Sequence, residues 1–310
     1  MNEHADFWIA RKDFLDNLRY IRGAAIGTCV GYRSDLGLWG HWLTEAERDW
    51  RDCSHRQVEQ WISWQMRERG VSPAMIARRV SCLSSFYKWA KKHGLSDSDP
   101  VYLADKPKRS QRMPIWLERD EQARLQRASE DIEDMAESIT GRKREQVLQA
   151  RRRYDCLFGL IQNSGLRISE ALAVQVQDVK MVNGVARSVR VIGKGNKERC
   201  VPLPQSFGPS LATWISEQPT DDGYIFAKAP GDRPPSARAA RLYLRQLVER
   251  AEISKPVTPH KLRHTYATRL LESGAQLVDI QALLGHSNIA TTQIYTHVAD
   301  SRMADVVSRL

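Results

Sequence analysis

What this 310-residue chain lacks narrows its possibilities before any motif is read. It has no run of about 18 uncharged apolar residues, so no transmembrane helix and no membrane partner is expected. Its first residues, MNEHADFWIARKDF, are charged throughout and lack the apolar centre of a secretory signal, which points to the cytoplasm. Cysteine is sparse and unpaired. Cys29, Cys53, Cys82, Cys156 and Cys200 stand singly with no CxxC, which excludes a zinc framework and suits reduced thiols packed as small side chains. There is no internal repeat or low-complexity tract, and no cluster of acidic residues to hold catalytic metal ions. With 42% hydrophobic and 27% charged residues the composition is that of a folded protein, long enough for two domains with a core each.

What is present in excess is positive charge, and it is unevenly placed. Residues 1–105 carry 15 Lys and Arg against 14 Asp and Glu, whereas residues 106–310 carry 32 against 23. A basic surface of this kind suits a polyanion, because each neutralised phosphate releases condensed counterions.

Apolar residues recur at helical spacing in WIARKDFLDNLRYIRG, QVEQWISWQMRERG and MIARRVSCLSSFYKWAKKHG, with Gly70 and Gly94 at cap positions. Between Arg67 and Lys92 seven Lys and Arg oppose a single Glu68, with Phe86, Tyr87 and Trp89 interleaved. Each lysine alone is an ordinary solvated residue. As a group, Arg78, Arg79, Lys88, Lys91 and Lys92 make a surface able to track phosphates. Residues 106–114 are polar, basic and rich in proline, and read as a linker whose Lys108 and Arg109 can lie along a DNA backbone. The division is therefore a helical domain over 1–105, the linker, and a second domain over 115–310. Ser129–Arg153 is highly charged and reads as one surface helix or an inserted excursion without chemistry.

In the second domain, YDCLFGLIQNSGLRISEALAVQVQDV reads as a buried helix, a break at Asn163-Ser164-Gly165, and a further helix. RSVRVIGKGNKERCVPLP alternates as two short strands around a glycine-rich turn, and helices resume from Arg238. The fold class is mainly α with a small antiparallel β-sheet.

TPHKLRHTYATRLLESG starts with a capping Thr258, carries Pro259 in its first turn and stops at Gly274. His260 and Arg263 share one face, and Leu262, Tyr266 and Leu270 another. The His260/His264 pair has Lys261 where a zinc protease needs Glu, so metal is not expected. GKGNKER fails as a phosphate-binding loop, since Ser188 and Gly195 occupy the positions of its obligatory Gly and Ser/Thr. Lys194 is left at a hairpin tip, able to swing into a cleft. LLGHSNIATTQIYTHV ends a helix at Gly285 and begins another that carries Tyr295. It fits a DNA-reading helix-turn-helix using Ser287, Asn288 and Thr291, and it equally fits a turn that presents a nucleophile.

Breaking a phosphodiester without metal requires fixed cations around the charged transition state, a nucleophile, and an acid for the leaving oxygen. Arginine forks match phosphate oxygens and stay charged. A tyrosine, with its free pKa of about 10, needs a base and charge neutralisation to attack near neutrality. Arg167, Lys194, His260, Arg263, His286 and Tyr295 form a sufficient set, in that order.

SGLRISE, VIGKGNKERCVPLP, HKLRHTYATRLLESG and LLGHSNIATTQIYTHV, in this order and spacing, resemble the tyrosine recombinases, in wording closest to the Xer type. The resemblance is strong from Tyr154 to Val298 and weaker over residues 10–105, which are similar to the family's helical core-binding domain. It implies a two-domain DNA clamp and a role for each matching residue. Arg167 and Arg263 clamp the scissile phosphate, and His286 donates to a nonbridging oxygen. His260 serves as base or proton relay, Lys194 as acid toward the 5′-oxygen, and Tyr295 as nucleophile. Glu170 orients Arg167 or a histidine. Lys197 is the competing hairpin lysine. The implied activity is site-specific recombination through a 3′-phosphotyrosyl intermediate, without ATP, metal or other cofactor. The implied partners are a double-stranded recombination site in the nucleoid, a homotetramer or a heterotetramer with a related recombinase, and an accessory activator in some systems. The competing readings are a type IB topoisomerase, which would relax supercoils without joint products, and an idle DNA-binding protein, which would form no adduct. A metal-dependent nuclease would be stopped by EDTA.

Overall fold

A computed structural model describes residues 3–105, 107, 116–130, 141–193, 198–218, 223–229 and 231–285. The chain divides into two compact units, Met1–Arg112 and Met113–Leu310, each with its own core. The residues read as linker lie outside the described part, apart from Pro107.

The first unit is helical in its described part: α1 (Glu3–Asp16), α2 (Ile26–Glu45), α3 (His55–Arg69) and α4 (Pro73–Lys92), with α1 prolonged by a π-turn over Asn17–Ile21. Local chemistry sets the ends. Ser54 opens α3 with Gln57 reaching back to its backbone N–H, Ser72 caps α4 ahead of Pro73, and Gly70 closes α3 in the left-handed region. The core is a cluster of rings. Phe86 stands edge-on to Phe7 and Phe14 at 5.6 Å, and Trp39 meets Trp61 at 5.2 Å. The fully buried Tyr87 hydroxyl donates to the Trp50 carbonyl at 2.7 Å and fastens the α2–α3 connection to this core.

The second unit runs α5 (Arg119–Glu130), α6 (Gly141–Ser164), α7 (Ile168–Leu172), a three-stranded sheet, α8 (Gly208–Ser216), α9 (Ala237–Arg250), α10 (Pro259–Glu272) and α11 (Leu277–Leu284). The sheet is antiparallel in the order β1 (Val179–Val182), β2 (Val185–Ile192), β3 (Glu198–Pro202). No helix among the described residues is long and apolar enough to cross a membrane.

Two details differ from the sequence reading. The sheet has a third strand, β1, joined to β2 by Asn183-Gly184, both at positive φ as a tight hairpin turn demands. The helix expected to continue to Val179 stops at Leu172. The Val176 N–H instead bonds the Gly223 carbonyl, and the Ile225 N–H the Val174 carbonyl, so this backbone is drawn into a bridge to residues 223–225. The stretch 129–153, read as one surface helix or an inserted excursion, is described only at its two ends. It takes in the end of α5, residues 131–140 outside the described part, and the first turns of α6, where Arg153 is buried.

Candidate active site

Three elements converge on one carboxylate. Glu170 lies in α7, three residues past Arg167, and its side chain is only 6% exposed. The Arg167 N–H donates to Glu170 Oε2 at 2.9 Å and the Arg167 guanidinium to Oε1 at 2.7 Å. One acid thus caps the helix and aims the arginine that precedes it. From β3, Arg199 donates to Oε2 at 2.8 Å and to Oε1 at 3.3 Å. From α10, Arg263 Nη1 stands 3.8 Å from Oε2. Burial alone would raise the Glu170 pKa. Hydrogen bonds from Arg199 and from the Arg167 backbone and guanidinium outweigh it and hold the carboxyl below its ordinary value.

The same arginines also close the end of α11. Arg199 Nε donates to the Leu283 carbonyl at 2.8 Å, Arg263 to that of Leu284 at 2.7 Å, and Arg167 to that of Gly285 at 3.4 Å. These are the unsatisfied acceptors at the negative pole of a helix, where cations are favoured. Two glycines permit the arrangement. Gly165 (φ +63) ends the α6 segment and gives its carbonyl to Arg263 at 2.7 Å; a methyl there would run into Tyr266 and stand 2.7 Å from Leu284 Cδ2. Gly285 (φ +63) caps α11, and a methyl there would stand 3.1 Å from Arg199 Nη1.

Helix α10 begins as its sequence predicts, with Thr258 accepting from the Lys261 N–H and Pro259 in the first turn. That start leaves His260 exposed in the first turn and Arg263, three residues on along the same face, 3% exposed. The His260 pKa is lowered, first by burial and then by the charges of Arg263 and Arg167. A neutral imidazole beside two guanidiniums can accept a proton near neutral pH. His264, one turn on, is pushed down to about 4 by burial and by His260. The surplus of three guanidiniums over one carboxylate makes this a place for an anion.

Of the residues predicted from sequence, Arg167, Glu170, His260 and Arg263 belong to this cluster. Lys194, its rival Lys197, His286 and Tyr295 lie outside the described residues, as do Lys108 and Arg109. In the first unit Lys88, Lys91 and Lys92 are exposed on α4. Arg78 pairs with the buried Asp35 at 2.6 Å, and the half-buried Arg79 is held by Gln65 and by Asp35 at 3.7 Å. Both arginines of this group therefore have partners within their own unit.

The sequence reading passed over Arg199. Its signal was the alternation of β3: Arg199 shares a face with the fully buried Val201, and an arginine on the inward face of a strand requires a buried acceptor.

The phage integrase family matches residues 130–302, and its amino-terminal SAM-like domain matches residues 12–94. This chain belongs to the phage integrase family, the tyrosine recombinases. It is 32% identical over 303 residues to the tyrosine recombinase XerD of Halalkalibacterium halodurans, covering 95% of each chain. A Staphylococcus aureus tyrosine recombinase XerD is 32% identical over 298 residues, covering 94% of this chain and 95% of the relative. Among solved structures, the XerH site-specific recombinase bound to a palindromic difH substrate superposes with a TM-score of 0.71 at 20% identity, covering 93% of this chain and 81% of that one. A lambda integrase tetramer bound to a Holliday junction gives 0.64 at 20%, covering 89% and 77%. The fold of the tyrosine recombinases is thus shared along both units.

Proposed function

We propose that this chain is a site-specific DNA recombinase that cuts and rejoins duplex DNA through a 3′-phosphotyrosyl bond to Tyr295. The observation that carries the reading is the meeting of Arg167 and Arg263 around Glu170, with His260 within reach of both their charges, at the carbonyl end of α11 and one residue before His286 in the chain. Arg167 and Arg263 neutralise the nonbridging oxygens, and His286 donates to one of them. The Tyr295 phenol oxygen attacks phosphorus while its proton passes to His260, whose lowered pKa keeps it able to receive one. The bond from phosphorus to the 5′-oxygen breaks, and Lys194 protonates the departing alcohol. A 5′-hydroxyl from the partner duplex then reverses these steps and releases Tyr295. The phosphodiester energy is kept in the tyrosyl ester, so ATP has no role, and arginines supply the charge stabilisation for which other enzymes use metal.

Exchange of two strands on each of two duplexes calls for four active sites, so the working assembly is a tetramer on DNA in the cytoplasm. It is either four copies of this chain or two of it with two of a related recombinase. The exposed Lys88, Lys91 and Lys92 of α4, with Lys108 and Arg109, supply phosphate contacts that hold the duplex.

A duplex nicked beside the scissile position traps the covalent step. Its core is first selected from random-sequence DNA by binding to this protein. The expected product is a protein–DNA adduct resistant to denaturant, formed equally well in EDTA, and absent from Tyr295→Phe although that variant still binds the duplex. An adduct in Tyr295→Phe would overturn the assignment. Relaxation of supercoils with no joint product would point to a topoisomerase instead.

A further inference from the structure

We propose that Arg199 is a positioning residue for phosphodiester cleavage: its clamp on Glu170 and on the Leu283 carbonyl keeps Arg167 and the Gly285 turn set for the phosphate. The inference deepens the function proposed above and rests on it.

Arg199 is committed on every nitrogen. Nη1 and Nη2 fork onto the two oxygens of Glu170, and Nε bonds the last turn of α11, with the side chain 13% exposed. It is the single side chain among the described residues seen to bond to both Glu170 and the α11 end from the sheet. It therefore joins three pieces that the chemistry needs in register. These are the paired strands β2 and β3, between which Lys194 falls in the chain, the α7 start with Arg167, and Gly285, which precedes His286 in the chain.

The electrostatic reason concerns the demand made by Glu170. A carboxylate 6% exposed must be met by donors on both oxygens. Arg199 meets both, so Arg167 gives the carboxylate one guanidinium nitrogen and Arg263 stays 3.8 Å away, bonded to carbonyls instead. Without Arg199, the uncompensated carboxylate would draw Arg167 and Arg263 toward itself, and both would be lost to an incoming phosphate. Lysine keeps the charge at this position but cannot fork onto a carboxylate while bonding a carbonyl.

The test uses Arg199→Ala and Arg199→Lys in the full chain, with the selected nicked duplex in two forms. One has an ordinary scissile phosphate. The other has a methylphosphonate there, which removes the charge that the arginines must neutralise. Duplex affinity and the single-turnover rate of adduct formation are measured separately. Both variants are expected to bind within about threefold of the parent and to form adduct about 10- to 100-fold more slowly, the range for residues that orient a reacting shell, with Lys the milder. On the methylphosphonate the deficit should shrink, as it should for Arg167→Ala. An equal deficit on both duplexes, or adduct formation at the parental rate, would overturn the proposal. If Arg199→Ala does not fold, Arg199→Lys carries the same comparison. Failure of the parent chain to form any adduct would instead sink the function proposed above, so the two failures are separable.

Discussion

Asp35 in the first unit and Glu170 in the second are both buried carboxylates beside arginines, yet their protons behave oppositely. Asp35 is 2% exposed, pairs with Arg78 and Arg79, and is still pushed above its ordinary pKa, because burial outweighs both charges. Glu170 is held below its ordinary value. Donor count separates them. Asp35 Oδ2 is buried without a hydrogen bond, whereas each Glu170 oxygen receives at least two. At Glu170 the hydrogen bonds made directly to the ionised oxygens outweigh burial, whereas at Asp35 two nearby charges and a single hydrogen bond do not. The surroundings follow the same division. The first unit is built on Trp39, Trp50, Trp61 and Phe86. The second packs branched aliphatics such as Leu160, Ile161, Val189 and Leu247 and sets its charge cluster at their edge. In one unit burial serves stability; in the other it supports an ionised group that aims arginines.

The largest effect that would sharpen this contrast is a loss of ring volume in the first unit. Trp61→Ala should cost about 3–5 kcal/mol of that unit's stability. Urea unfolding followed by tryptophan fluorescence reads it, since Trp8, Trp39, Trp42, Trp50, Trp61, Trp64 and Trp89 all lie there. A change below about 1 kcal/mol would mean that the rings do not carry the core. Next comes Gly165→Ala, where a small gain of volume in the second unit should damage chemistry. The left-handed backbone and the contacts with Tyr266 and Leu284 force the Gly165 carbonyl away from Arg263. Adduct formation should fall about 100-fold, as expected for a misplaced reacting group, and parental activity would refute the role given to that carbonyl.

The smallest effect is the most direct test of the two acids. Glu170 binds its proton less readily folded than unfolded, so its stabilisation exists above the unfolded pKa and disappears as pH falls. Asp35 is the reverse, stabilising when protonated and less so as pH rises. Melting temperatures taken from about pH 7 down to about pH 3 should show Glu170→Gln most harmful at the upper end. Asp35→Asn should be neutral or favourable there. Parallel pH profiles for the two variants would erase the distinction.

Much of this was legible in the chain itself, where the signal was local. Thr258-Pro259 announces the start of α10, and the spacing within that helix puts His260 and Arg263 on one face. Pairing of Arg167 with Glu170 follows from their separation by three residues across a helix start. What escaped reading depends on distant partners. Strand β1 was hidden because Val174–Val182 is apolar enough to continue a helix until residues 223–225 claim its backbone. Arg199 was passed over for the same reason: its acceptors are 29 residues before it and 84 after it along the chain.

The alternation of β3 has one practical outcome. Cys200, next to Arg199, turns outward, exposed to solvent, while Cys53 and Cys82 are buried and burial pushes both thiols well above their ordinary pKa. With the half-buried Cys29 of the first unit replaced by serine, a maleimide dye should therefore label the strand on its outer side, one position from the guanidinium that grips Glu170. Fluorescence from that dye would report the hairpin's response when duplex arrives.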